Sequence, residues 1–348
     1  MKIFFVVGTR PNLIKIAPLL RASQEGIEYK LVHVGQHYDW NMSKVFFEEL
    51  GLPEPDINLG IGSGTHAKQT SKAMIGFEKY CIKESPDVVV VVGDVNSTLG
   101  CALAVAKLDG IKLAHVEAGC RAVMNSPEGI NRRLVDVVSD YLFCPSERDL
   151  ANLKSENLTG TVVGDVAIDT LIRMMPKAKA PDIPKPYALL TLHRPVNVDD
   201  PEKLEQILKS INKIAEDIDI VSRVHPRTMN KINEFGFQDY LKRLKTYPPA
   251  GYLELLGLLM NAKFLITDSG GLQIEASYLN IPCLSLIEST GHVDTLFNGT
   301  NTLVSADTIV EESQKIISGN GKYMAEMPKL WDGKTAERII SVIKEGKI

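Results

Sequence analysis

Short apolar runs rich in β-branched residues alternate along this chain with longer stretches whose apolar positions recur at helical spacing. Five such runs lie in the first half, at residues 2–7, 30–34, 87–92, 112–116 and 141–144, and four in the second, at 187–192, 218–224, 263–267 and 282–286. Val88-Val89-Val90-Val91-Val92 has no polar position at all, the pattern of a buried strand. Strands that alternate with helices predict parallel sheets with crossover connections, so the fold class is α/β.

The pattern breaks once. Residues 174–186 carry Pro176, Pro181, Pro184 and Pro186 among Lys and Ala with no apolar period, and read as a linker. At 348 residues the chain also exceeds the size at which single cores stop growing. We therefore expect two Rossmann-like doubly wound domains, 1–172 and 173–348, with the last helix able to pack back on the first. Ligands of open α/β sheets sit beyond the carboxyl ends of the strands, so a cleft between the domains is the expected binding place.

Composition narrows the function. Apolar runs stay far below the roughly 20 residues a membrane helix needs, and the N-terminal run reads as a first strand rather than a secretory signal, which predicts a cytoplasmic protein without membrane partners. Five scattered cysteines with no Cys-x-x-Cys pair suggest reduced thiols, with neither a disulfide framework nor a metal site. A net charge of -4 gives no sign of a nucleic-acid partner. An anionic ligand would have to be held by locally placed cations.

Such cations and several carboxylates stand at strand ends. Gly8-Thr9-Arg10-Pro11 follows the first strand and opens a helix carrying Lys15, a turn whose amides and cations suit a phosphate. It lacks the glycines of a dinucleotide fingerprint, which counts against a nicotinamide cofactor. Asp94 ends the valine strand, and Glu117 ends the next, with Arg121 close behind. Glu128, Arg132 and their neighbours follow a short loop. Converging carboxylates among arginines can act as acid and base, because burial and neighbouring charge set their proton affinities apart. Helix capping is the structural alternative for Asp94 and Glu128, and both readings stay open here. In the second half His193 and Arg194 follow a strand, as does His225, and Ser269-Gly270-Gly271 leads from a strand into a helix with Glu275 one turn inside. Backbone amides there would face an anion while Glu275 accepts from ribose hydroxyls.

Taken in order, these residues resemble the nonhydrolysing UDP-N-acetylglucosamine 2-epimerases, a family with the two-domain GT-B arrangement. The landmarks are Gly8–Pro11 with Lys15, Gln36-His37, Gly93-Asp94, His115–Gly119 with Arg121, Pro127-Glu128 with Asn131-Arg132, His193-Arg194, His225-Pro226, and Thr267–Gly271 with Gln273 and Glu275. The resemblance implies a cofactor-free isomerase that interconverts UDP-GlcNAc and UDP-ManNAc by removing the C2 proton, expelling UDP and adding it back. It implies Asp94, Glu117, Glu128 and His193 as catalytic groups, and Arg10, Lys15, His37, Arg121, Arg132, Arg194, His225, Ser269, Gly270, Gly271 and Glu275 as substrate ligands. A homodimer and a role in polysaccharide precursor synthesis are implied by the resemblance alone. The chain departs from the family at Asn12 and Gly129, where acids are usual, at Pro195-Val196, at Leu255, and at Ser289–Val293, which lacks the usual arginine. These departures gather at the sugar and base ends, so a related UDP-sugar, a hydrolysing outcome or a GT-B glycosyltransferase are the alternatives.

Overall fold

The computed structural model describes residues 1–23, 26–35, 37–122, 126–248, 250–324 and 326–346, apart from the side chains of 37–43. Two compact units emerge, Met1–Arg173 with Lys329–Ile348, and Met174–Pro328.

The first unit is built on strands β1 (Lys2–Val7), β2 (Glu28–His33), β3 (Ile57–Asn58), β4 (Val88–Val92), β5 (Lys112–Val116), β6 (Tyr141–Cys144) and β7 (Thr161–Val162). All pair in parallel in the order β3-β2-β1-β4-β5-β6-β7. Helices α1 (Arg10–Ala22), α2 (His37–Leu50), α3 (His66–Glu84), α4 (Asn96–Val105), α5 (Pro127–Val138) and α6 (Glu147–Ser155) make the crossovers, and α7 (Val166–Met174) follows β7. The strand order reverses between β1 and β4, which leaves a crevice at their carboxyl ends. Alternate residues of the central strands face opposite helix layers: Phe4, Val6, Val89 and Val91 join Phe77, Tyr80, Leu99 and Ala102 in one core. Coverage on both faces explains why β4 carries no polar residue.

The second unit repeats the scheme with β8 (Tyr187–Thr191), β9 (Asp219–Arg223), β10 (Lys245–Tyr247), β11 (Phe264–Thr267), β12 (Cys283–Ser285) and β13 (Asn301–Leu303), in the order β10-β9-β8-β11-β12-β13 and all parallel. Its helices are α8 (Pro195–Val198), α9 (Pro201–Ile214), α10 (Pro226–Phe235), α11 (Tyr252–Asn261), α12 (Gly270–Tyr278), α13 (Asp294–Phe297) and α14 (Ile309–Ile317). Leu190 and Ile266 face α9 through Leu204, Ile207 and Ile211, while Leu189 and Leu265 face the other way onto Leu258 and Leu259 of α11. Here the order reverses between β8 and β11. Helix α15 (Thr335–Glu345) returns to the first unit and packs on α1; its first amides, on Thr335 and Ala336, donate to Asp169 of α7 at 3.2 and 2.7 Å.

The nine predicted strands are all present, and the four that escaped prediction, β3, β7, β10 and β13, are the four sheet edges. Residues 174–186, read as a linker, contain a 3-10 turn at Met175–Lys177 and are pinned to the second unit: the Lys179 amide donates to Leu253 O at 3.2 Å and Ile183 is buried. Among the described residues no helix is long and apolar enough to cross a membrane. The five cysteines are free and buried.

Candidate functional site

Each unit gathers its unusual polar groups where its strand order reverses. In the first, Asn12 fixes the turn after β1: its Oδ1 accepts from the amides of Gly8 and Thr9 at 3.2 and 3.0 Å, and its Nδ2 donates to Val92 O at the end of β4 at 3.2 Å. The usual carboxylate at this position could not make that last bond, so the departure from the family pattern is accounted for locally. Gly93 follows in the left-handed region, φ +71°, and a Cβ there would lie within 4 Å of Glu117 Oε2, Asn12 Nδ2 and Lys15 Nζ. The turn thus brings a carboxylate and a cation against bare backbone.

Glu117 is 1% exposed and its Oε1 lies 2.6 Å from Lys15 Nζ. Its φ is +70°, which for a buried side chain costs energy that surrounding structure must supply, and such strain gathers at functional sites. Arg132, on α5, supplies part of it: Nη1 donates to Glu117 O at 2.7 Å while Nη2 reaches Asp94 Oδ2 at 2.5 Å. Asp94 does not cap α4, whose N-cap is Val95; its side chain keeps 29% exposure and turns to Arg132. Burial works against both cations, yet the carboxylates outweigh it and hold Lys15 and Arg132 more firmly protonated than usual. Two carboxylate–cation pairs, one buried and one half open, result.

Behind them His115 links the Asp94 turn to α5, with Nδ1 2.7 Å from Asp136 Oδ1 and Nε2 2.9 Å from Gly93 O. Asp136 also accepts from Arg121 Nη1 at 2.7 Å and from the Gly119 amide at 3.2 Å. Burial opposes its charge, but His115 and Arg121 prevail and lower its proton affinity. Arg121 is further spanned by Glu156 at 3.0 and 2.6 Å, so the structure does not bring it to Asp94 and Glu117 but uses it to brace Asp136. Glu128 stands exposed on the first turn of α5, which Ser126 caps, and makes no hydrogen bond or ion pair among the described residues. Arg10 packs over the Phe46 ring at 5.8 Å. The His37 side chain and Gln36 lie outside the described residues.

In the second unit Asp268, wholly buried at the end of β11, organises the reversal point. It accepts from the amides of His193 and Arg194, from Asn197 Nδ2 at 3.2 Å, and pairs with His193 Nδ1 at 2.9 Å. Burial opposes its ionisation, but the His193 side chain and these amides dominate and keep it a carboxylate. His193 therefore has one nitrogen held and the ring 40% exposed, with the His225 ring 5.5 Å away. His225 caps α10, its Nδ1 accepting from the Arg227 amide at 3.2 Å. Ser269 opens α12, and a Cβ on Gly270 would lie 3.2 Å from His292 Nε2 and 3.9 Å from Arg194 Nη2, while one on Gly271 would meet nothing within 4 Å. Amides of a helix start, open space and basic side chains make an anion seat. Glu275, 4% exposed, accepts from Tyr252 OH at 3.0 Å.

Sequence reasoning gave no role to Asp136, Tyr252, Asp268 or His292, although Asp268 stands inside the Thr267–Gly271 landmark. For His292 the signal was present, since it lies in the loop that departs from the family; the others are inward-facing partners.

These features define a doubly wound α/β protein with two reversal-point crevices, one carrying carboxylates and one carrying basic groups over a helix start. A family model described as UDP-N-acetylglucosamine 2-epimerase matches residues 20–344, and the chain belongs to that family. It is 41% identical to the UDP-N-acetylglucosamine 2-epimerase of Methanocaldococcus jannaschii over the whole of both chains. The crystal structure of the M. jannaschii UDP-GlcNAc 2-epimerase in complex with UDP-GlcNAc and UDP resembles it with a TM-score of 0.91 at 40% identity, covering 99% of this chain and 100% of that one. The UDP-2,3-diacetamido-2,3-dideoxy-D-glucuronate 2-epimerase of Pseudomonas aeruginosa is 38% identical, with 98% of each chain covered.

Proposed function

We propose that the chain interconverts UDP-GlcNAc and UDP-ManNAc, with the first unit supplying acid and base and the second holding UDP. The observation that carries the reading is the pair of cation-bound carboxylates, Glu117 with Lys15 and Asp94 with Arg132, one of them on strained backbone. Inversion at C2 needs a proton removed from one face of the sugar and one delivered to the other, so at least two acid/base groups are required. Asp94 and Glu117 fill those roles, and Glu128 is the third candidate. Loss of the C2 proton with cleavage of the C1–O bond leaves that bond's electron pair on the UDP diphosphate and forms the C1–C2 double bond of the glycal. Readdition of UDP at C1 with a proton at C2 from the opposite face completes the exchange. The departing charge is met by His193, Arg194 and the amides of Ser269 to Gly271, with Arg10 and His225 also offered to the substrate. Glu275, held by Tyr252, is the proposed acceptor for the ribose diol.

A homodimer is part of the proposal. Helix α5 exposes Ile130, Leu134 and Val137 and α3 exposes Met74, Ile75 and Ile82, both flanking α4 on one side of the sheet. Free buried cysteines and the absence of a spanning helix among the described residues favour a cytoplasmic site of action, feeding an activated amino sugar to polysaccharide assembly. The test is product formation by anion-exchange chromatography from UDP-GlcNAc, set beside UDP-2,3-diacetamido-2,3-dideoxy-D-glucuronate. UDP-ManNAc as the only new nucleotide sugar is the expected result; turnover of the uronate alone would overturn the substrate assignment.

A further inference from the structure

The loop that carries Ser289–Val293 between β12 and α13 lacks the family's usual arginine, and its one basic side chain, His292, has no part in the chemistry proposed above. Buried side chains fix this loop. Thr290 Oγ1 donates to Gln273 Oε1 at 2.8 Å and accepts from the His292 amide at 3.1 Å. Gln273, wholly buried one turn into α12, is also reached by Asn301 Nδ2 at 3.1 Å, and the same nitrogen donates to Thr295 Oγ1 at 3.1 Å. Thr295 Oγ1 closes the ring by donating to His292 O at 2.6 Å. Both backbone groups of His292 are thus bonded to side chains that are themselves buried, which sets where the imidazole stands.

The imidazole stands at the start of α12. A Cβ on Gly270 would lie 3.2 Å from His292 Nε2, 3.3 Å from its Cδ2 and 3.9 Å from Arg194 Nη2, so a ring nitrogen and a guanidinium border one point beside the first helical residue. The amides of a first turn have no partner within their helix. The space left by the missing side chains of Gly270 and Gly271 is therefore bordered by amides, a guanidinium and an imidazole. Other charged and titratable groups at this reversal point have their own engagements. His193 is paired with Asp268 at 2.9 Å, His225 caps α10 with its ring 5.5 Å from that of His193, and Asp294 opens α13 two residues beyond His292.

We propose that His292 binds the UDP diphosphate together with Arg194 and, because its charge comes and goes with pH, makes the hold on UDP depend on pH where an arginine would not. The inference rests on the reading that the second unit holds UDP. An unperturbed imidazole titrates at about 6.5, whereas a guanidinium stays charged to above about 12. UDP is therefore held most tightly on the acid side, and one charge-assisted hydrogen bond weakens as pH rises. Such a bond is worth about tenfold or more in affinity.

The test is isothermal titration calorimetry of UDP binding to the full-length protein from about pH 6 to about pH 9, beside His292→Gln and His292→Arg. Protonation of UDP, His193 and His225 is common to all three proteins, so the differences between them report on position 292. Wild-type affinity is expected to fall about tenfold more across the range than that of His292→Arg, and His292→Gln to be about tenfold weaker than wild type at the acid end and equal to it at the alkaline end. Equal affinities of wild type and His292→Gln at every pH overturn the inference alone. UDP bound by none of the three proteins overturns it together with the reading beneath it. Proton NMR of the seven histidine rings adds a measurement on the wild type, the His292 signal being the one missing from His292→Gln. Its titration is expected to move to higher pH when UDP saturates the protein, and a titration unmoved by bound UDP overturns the proposal.

Discussion

Removing the Lys15 ammonium without touching Glu117 should destabilise the first unit far more than a surface ion pair would. The pair is 2.6 Å long with side-chain exposures of 16% and 1%, so Lys15→Met strands a carboxylate away from water. Stranding one partner of a buried pair costs about 3–5 kcal/mol, a large share of the roughly 5–15 kcal/mol that holds a domain folded. Because Lys15 is held protonated beyond its ordinary 10.5, its contribution is complete below that value and is lost only as pH rises through the higher folded one. The full deficit is therefore present at about pH 8. Urea titration read by tryptophan fluorescence is selective, since both tryptophans, Trp40 and Trp331, belong to the first unit. Adding Glu117→Gln removes the stranded charge and should return stability to within about 1–2 kcal/mol of wild type. Lys15→Met at wild-type stability, or a double variant no better than Lys15→Met, would refute the reasoning.

Three further outcomes follow from packing and electrostatics. Gly100→Ala on α4 places a Cβ 2.6 Å from Ala73 Cβ and Thr70 O on α3, so thermal unfolding should show a loss of about 1–3 kcal/mol where an open helical site would gain up to about 1 kcal/mol. Asp136→Asn should weaken the fold at neutral pH; since Asp136 is held below its ordinary 3.8, its contribution exists above that value and vanishes as pH falls through the lower folded one, so the deficit should close in acid denaturation curves. Tyr252→Phe frees Glu275 from its buried partner at 3.0 Å, and steady-state kinetics should show KM for UDP-GlcNAc raised by about 5–10-fold with kcat retained.

The central strands were readable from sequence because burial on both faces demands unbroken apolar runs, as in Val88–Val92. The edges were not. Ile57–Asn58 and Asn301–Leu303 are two and three residues long, and Asn301 is buried for a polar reason, its Oδ1 accepting from Ser285 Oγ at 2.6 Å and its Nδ2 donating to Gln273 Oε1 at 3.1 Å. The site divides in the same way. Asp94, Glu117, His193 and the Ser269–Gly271 turn were visible because charged or glycine residues directly follow strands, where a doubly wound sheet exposes them. Asp136 reaches the Gly93 turn through His115, Asp268 holds His193, and Tyr252 holds Glu275, and only tertiary packing decides that these groups meet. Arg121, a substrate ligand by the resemblance, has its guanidinium held by Asp136 and Glu156, partners that its sequence position does not show.

The central claim, that Asp94 and Glu117 exchange the C2 proton of a UDP-sugar, is tested most directly by proton NMR of UDP-GlcNAc incubated with the protein in deuterated water, beside Asp94→Asn and Glu117→Gln. The account predicts deuterium at C2 together with the appearance of the manno epimer, both abolished in the two variants. Epimer formed with its C2 proton retained, or exchange undiminished in the variants, would contradict it.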